Sequence, residues 1–105
     1  MPVHYPLMPK EESRRVRVAI RHVLLNVWDP IGVNDSPNAQ DEYDGYIGPI
    51  FELLVTGESD EEIIDYLDEV VARMGMDGSR VSLLTVVAAL RAIDYLGKPN
   101  AATKP

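Results

Sequence analysis

Apolar residues recur at steps of three and four in four separate stretches of the chain, and this spacing predicts four helices. In the first, Val16, Ile20, Val23, Leu24 and Val27 form one stripe, with Arg14, Arg17 and Arg21 along one side of it. Pro9 suits a first helical turn, where its missing N–H costs nothing. Asp29-Pro30 ends the helix, because a residue before proline is pushed out of the helical region. The predicted span is 10–28. In the second stretch, Tyr43, Tyr46, Ile47, Ile50, Leu53 and Leu54 keep helical spacing through Gly45, Gly48 and Pro49. A proline well inside a helix costs about 3 kcal/mol. A helix over 42–56 is therefore predicted to become regular near Asp44, leaving Pro49 close to its first turn, with Gly57 as its stop.

Ser59-Asp60-Glu61-Glu62 has the form of a capping box, in which hydroxyl and carboxylate each satisfy an orphan backbone donor. The third helix, predicted over 60–74, carries a narrow stripe of Ile63, Leu67, Val70, Val71 and Met74, with Glu61, Asp65, Asp68 and Glu69 facing away. Gly75 closes it. Met76-Asp77-Gly78 reads as a turn and Ser79 as a cap. Leu83, Leu84, Val86, Val87, Leu90, Ile93 and Leu96 then make a fourth helix, predicted over 80–97, apolar around most of its circumference. Such a helix is either central to a bundle or covered by a partner. Short connections between four helices imply an all-α, compact antiparallel bundle. An extended arm (1–9), one helical domain (10–98) and a frayed tail (99–105) complete the expected organisation.

Between the first two helices lies the longest non-periodic segment. From Trp28-Asp29-Pro30-Ile31-Gly32 through Ser36-Pro37 to Asp41-Glu42-Tyr43-Asp44, it concentrates turn formers, aromatics and carboxylates. Residues 29–40 read as an ordered acidic loop, in which Ser36-Pro37 can start a short turn of helix. Trp28 is expected to anchor this loop on the core, its indole N–H meeting a carboxylate or carbonyl. The alternative is that Trp28, Tyr43 and Tyr46 form an exposed anchor for a protein partner.

Charge changes the picture most. The net charge is −7, yet the thirteen acidic residues from Asp29 to Glu69 are interrupted by no Lys or Arg. Each flanking segment carries five basic and two acidic residues. An acidic centre argues against a nucleic-acid partner, since phosphate contacts need clustered cations. It suits a basic protein partner, a bound cation, or a solvated face partly neutralised by Arg14, Arg17 and Arg21.

Tests for chemistry narrow the field. There is no cysteine, so disulfides, thiolate metal sites and cysteine nucleophiles are excluded. His4 and His22 are far apart, and no His-Glu-x-x-His or EF-hand spacing occurs, so no metal or cofactor is expected. Asp29, Asp41, Glu42 and Asp44 remain the residues for a hydrolase or cation-dependent alternative. Glycine-rich phosphate loops are absent. The longest apolar run, Val86 to Leu90, falls far short of the ~20 residues of a membrane span. The first residues lack a basic stretch followed by an apolar core, so no secretory signal is expected and the expected location is the cytoplasm.

Three further runs accompany Trp28-Asp29-Pro30-Ile31-Gly32: Asp41-Glu42-Tyr43-Asp44, Leu53-Leu54-Val55-Thr56-Gly57-Glu58-Ser59 and Glu62-Ile63-Ile64-Asp65-Tyr66-Leu67. Over roughly residues 20–76 the chain resembles a family of small, largely uncharacterised bacterial proteins with W-D-P-[IL]-G, D-E-Y-D, L-L-x-x-G-x-S and E-I-x-x-Y-L motifs. The resemblance implies a compact all-helical fold in a bacterial cytoplasm and brings no catalytic residues. In size and acidity the chain is also similar to immunity proteins that neutralise basic toxin domains. The expected function is non-enzymatic binding of a basic protein. The surface for it would comprise Asp29, Asp35, Asp41, Glu42, Tyr43 and Asp44, together with Glu61, Asp65, Asp68 and Glu69 on the third helix. Self-association through the apolar last helix, as a homodimer, is the remaining alternative.

Overall fold

The computed structural model describes residues 9–30, 32, 33, 35–39, 41–76 and 80–95. Residues 1–8 of the expected arm (1–9), the tail over 99–105, and residues 77–79 of the expected turn and cap (76–79) lie outside these. Four α-helices form an all-α bundle: α1 (Lys10–Val23), α2 (Ile47–Val55), α3 (Asp60–Arg73) and α4 (Arg80–Arg91). α3 packs on α4 and α1 on α2, while the end of the first helical rod packs on α4. The predicted stripes meet inside. Val16 and Ile20, Ile50 and Leu54, Ile63 and Leu67, and Leu83, Val86, Val87 and Leu90 are all buried. Among the described residues no polar or charged side chain is fully buried, so apolar burial is what holds the helices together.

The local signals work as predicted at several places. A short 3₁₀ turn, Asp44–Tyr46, precedes α2, so Pro49 falls at the third helical residue, where the backbone donor it lacks has no intrahelical partner. Ser59 Oγ accepts the Glu62 N–H at 3.2 Å and caps α3. Gly57 (φ 78°) and Gly75 (φ 76°) end α2 and α3 in paired reverse bonds, Glu58 N–H to Leu53 O and Met76 N–H to Val71 O. Pro37–Ala39 forms the expected short turn, as a 3₁₀ helix.

Three elements differ from the predicted ones. α2 becomes regular only at Ile47, not near Asp44, because the 3₁₀ turn precedes it, and the first and last helices end differently. The first rod reaches Trp28, but its last five residues, Leu24–Trp28, are π-helical, and Asp29 N–H closes the segment on Leu24 O at 2.8 Å. α4 stops at Arg91 instead of running to 97. Ile93 and Leu96 continue the helical period, which is why the longer span was expected. In the fold Ile93 and Tyr95 are instead both buried, two residues apart, as extended backbone allows. Arg15 Nη2 donates to Asp94 O and Tyr95 OH to Leu54 O, fastening this segment to α1 and α2. α4 is also less greasy outside than expected: Ser82, Thr85 and Ala88 are exposed, with Leu84 at 54% exposure.

Candidate functional site

The loop after the first rod is organised by one carboxylate. Asp29 is the one non-glycine residue with positive φ among the described residues, at φ 36° and ψ 57°. Aspartate tolerates that left-handed conformation better than most side chains. From it, Oδ1 accepts the Val33 N–H at 2.8 Å and the Tyr43 hydroxyl at 2.9 Å. One oxygen thus joins the helix end, the loop and the approach to α2. Tyr43 is 1% exposed, so this residue, expected on the binding surface, is part of the core. Its ring lies 5.4 Å from that of Trp28, and Tyr46 meets Trp28 edge-on at 6.0 Å. The indole Nε1 of Trp28 is buried and, among the described residues, has no hydrogen-bond partner. That departs from the expected carboxylate or carbonyl. The adjacent carboxylate, Asp29, is turned toward Val33 and Tyr43.

The other expected loop carboxylates separate. Asp44 is half-buried and takes a two-pronged ion pair from Arg21, with Nε to Oδ1 at 2.9 Å. This pairing holds the Arg21 guanidinium above its ordinary pKa. Asp35, Asp41 and Glu42 are exposed. Among the described residues no group of three or more His, Asp or Glu is placed to hold a metal ion. Of the arginines expected to neutralise the acidic block, only Arg21 reaches it. Arg14 pairs loosely with Glu11 on its own helix at 3.8 Å, and Arg17 lies 4.7 Å above the Phe51 ring.

A groove of about 550 Å³ lies between α2 and α3. Glu52 contributes from α2, Glu58 from the connection, and Glu62, Asp65 and Glu69 from one side of α3, where steps of three and four place them in line. Leu53 and Tyr66, both half-buried and packed on the core, supply its apolar base, with Pro49 and Thr56 completing the lining. Burial pushes the Tyr66 phenol up, with Glu69 and Tyr46 reinforcing the shift against Arg73. Arg91 braces one end, its Nε on Asp60 Oδ1 at 2.7 Å and its Nη2 donating to Glu58 O. The groove can receive a cationic group together with its apolar stem.

Of the ten expected binding residues, Asp65 and Glu69 line the groove; Glu61 and Asp68 belong to α3 outside it. Glu52, Glu58, Glu62 and Tyr66 were not anticipated. Glu62, Asp65 and Glu69 flanking Tyr66 at helical spacing was the available signal. No described helix is long and apolar enough to cross a membrane. Comparison with known protein families, curated proteins and solved structures finds no match to this chain.

Proposed function

We propose that this chain is a non-enzymatic binding module whose carboxylate-lined groove between α2 and α3 engages a basic protein, in the manner of an immunity protein. The observation that carries the reading is the groove itself, in which five carboxylates surround an apolar base. Arginine and lysine fit such a place because their stems cover apolar surface while the head meets carboxylates. Charge complementarity of this kind speeds encounter and rejects anionic competitors more than it adds affinity. The acidic block is poorly matched to nucleic acid, whose phosphates repel it. A bacterial cytoplasmic setting and kinship with the W-D-P-[IL]-G, D-E-Y-D proteins belong to the same proposal and rest on the sequence runs.

The test is binding of fluorescent nona-arginine at low salt. Glu52→Arg with Glu69→Arg, both exposed, are expected to weaken binding at least ~10-fold, a loss of about 1.4 kcal/mol. Asp41→Arg with Glu42→Arg, which make the same charge change outside the groove, are expected to leave most of the affinity. Equal losses from both pairs would show that net charge alone attracts the peptide, and the reading would fail.

A further inference from the structure

The groove has a counterpart on the same molecule. Arg14, Arg17, Val18 and Arg21 of α1 line a shallow hollow of about 240 Å³ with Asp44 and Ile47. Val18 is 59% exposed, the most exposed of the large apolar side chains described. Arg14, Arg17 and Arg21 follow steps of three and then four, and so do Glu62, Asp65 and Glu69 in the groove. Each series therefore spans seven residues, about 10 Å of helix. The apolar seams also correspond, Val18 among the cations and Leu53 with Tyr66 among the anions.

We infer that the occupant of the groove, in the absence of a foreign partner, is a second copy of this chain presenting the Arg14–Arg17–Val18 face of α1. This rests on the reading of the groove as a site for basic protein. Arg21 stays committed to Asp44. Arg14 and Arg17 supply the charge, since Arg14 holds its own Glu11 at 3.8 Å with both side chains mostly exposed. The contact is heterologous, one face on one copy against a different face on the next, so an open assembly leaves one unfilled groove at one end and one uncovered α1 face at the other. A stronger basic partner would displace the neighbouring copy, coupling partner binding to dissociation. Each copy is net acidic, −7, so the contact is short-ranged and weak.

Sedimentation velocity over a wide concentration range tests this at about 150 mM salt, where screening confines repulsion between the acidic copies to about 8 Å. Two exposed charge-reversed variants are prepared, Glu52→Arg/Glu69→Arg in the groove and Arg14→Glu/Arg17→Glu on α1, with circular dichroism confirming that each folds. The wild type is expected to associate reversibly, and each variant alone to sediment as a monomer, its association weakened at least ~10-fold. Mixed, the two variants are expected to associate, because each presents a face complementary to the other. Val18→Glu, a milder change at the seam, is expected to weaken wild-type association in the same direction. A monomeric wild type at every concentration overturns the inference. So do variants that associate alone as well as wild type, since the contact would then lie elsewhere, as on the Leu84 face of α4. Nona-arginine binding distinguishes the two levels: a monomer that still binds the peptide in its groove loses only the self-association.

Discussion

Replacing Asp29 tests the organisation of the loop directly. Its Oδ1 accepts two hydrogen bonds, from Val33 N–H at 2.8 Å and from the core-buried Tyr43 hydroxyl at 2.9 Å. Bonds to a charged acceptor are worth about 1.5–3 kcal/mol each. Alanine at φ 36° adds about 1–2 kcal/mol of left-handed strain that aspartate relieves in part. Asp29→Ala is therefore expected to cost about 4–8 kcal/mol, a large share of the 5–15 kcal/mol typical of a domain. Asp29→Gly removes the strain but not the loss of both bonds, and about 3–6 kcal/mol is expected. Asp29→Asn keeps an acceptor and tolerates the backbone, for about 1–2 kcal/mol. Urea unfolding followed by far-UV circular dichroism and by Trp28 fluorescence reads all three, and coincidence of the two signals checks two-state behaviour. In melting temperature the alanine variant should fall by at least roughly 15 °C. The order alanine, glycine, asparagine is the signature. An alanine variant within about 1 kcal/mol of wild type would refute the view that this carboxylate ties loop to core.

Two further substitutions probe the same core. Trp28→Phe keeps an aromatic ring against Tyr43 and Tyr46 and deletes a buried donor that has no partner among the described residues. It is expected to change stability by less than about 1 kcal/mol in the same urea titration, because the unsatisfied group already costs about 1–3 kcal/mol. A loss above about 2 kcal/mol would show that the indole N–H is engaged. Tyr95, whose hydroxyl donates to Leu54 O, has its phenol pushed up from 10.0 by burial, with Arg91 pulling the other way. A raised acid pKa favours the fold while the group is protonated, so this contribution is complete below pH 10 and is lost as pH rises through the folded value. Wild-type stability should therefore decline in that alkaline window, and Tyr95→Phe should flatten the decline while losing about 1 kcal/mol at neutral pH. An identical alkaline profile for the two proteins would assign the titration to another group.

The helices were readable because each is specified by neighbours a few residues away. The stripe Ile63, Leu67, Val70, Val71 states both the existence of α3 and its buried face, and Ser59 and Gly75 mark its ends. Pro49 was readable for the same reason, since its missing donor decides locally where a regular helix can begin. What escaped depends on residues distant in the chain. The π-helical end of the first rod carries no composition of its own; it ends at Asp29, whose carboxylate meets Tyr43, fourteen residues later. The early stop of α4 depends on Tyr95 finding Leu54, and on Asp94 meeting Arg15. The groove needs Glu52 brought beside Glu62 and Glu69, a juxtaposition that only the packing of α2 on α3 creates. The acidic block was visible as a charge run, but a run does not say which carboxylates share a wall.

The π-helical end of the first rod makes chain length, and not only composition, part of how the loop is set. A π turn accommodates one residue more than an α turn. Were the five residues Leu24–Trp28 to rewind as ordinary α-helix with none removed, every later position would swing by about 100° around the axis, whereas deleting one of them would leave the later positions in phase. On such rewinding Trp28 would leave Tyr43 and Tyr46, and Asp29 would point away from the hydroxyl it now receives. The segment behaves as a phase adjuster: it hides one surplus residue so that an indole and a carboxylate, consecutive in the chain, both arrive facing the same tyrosine.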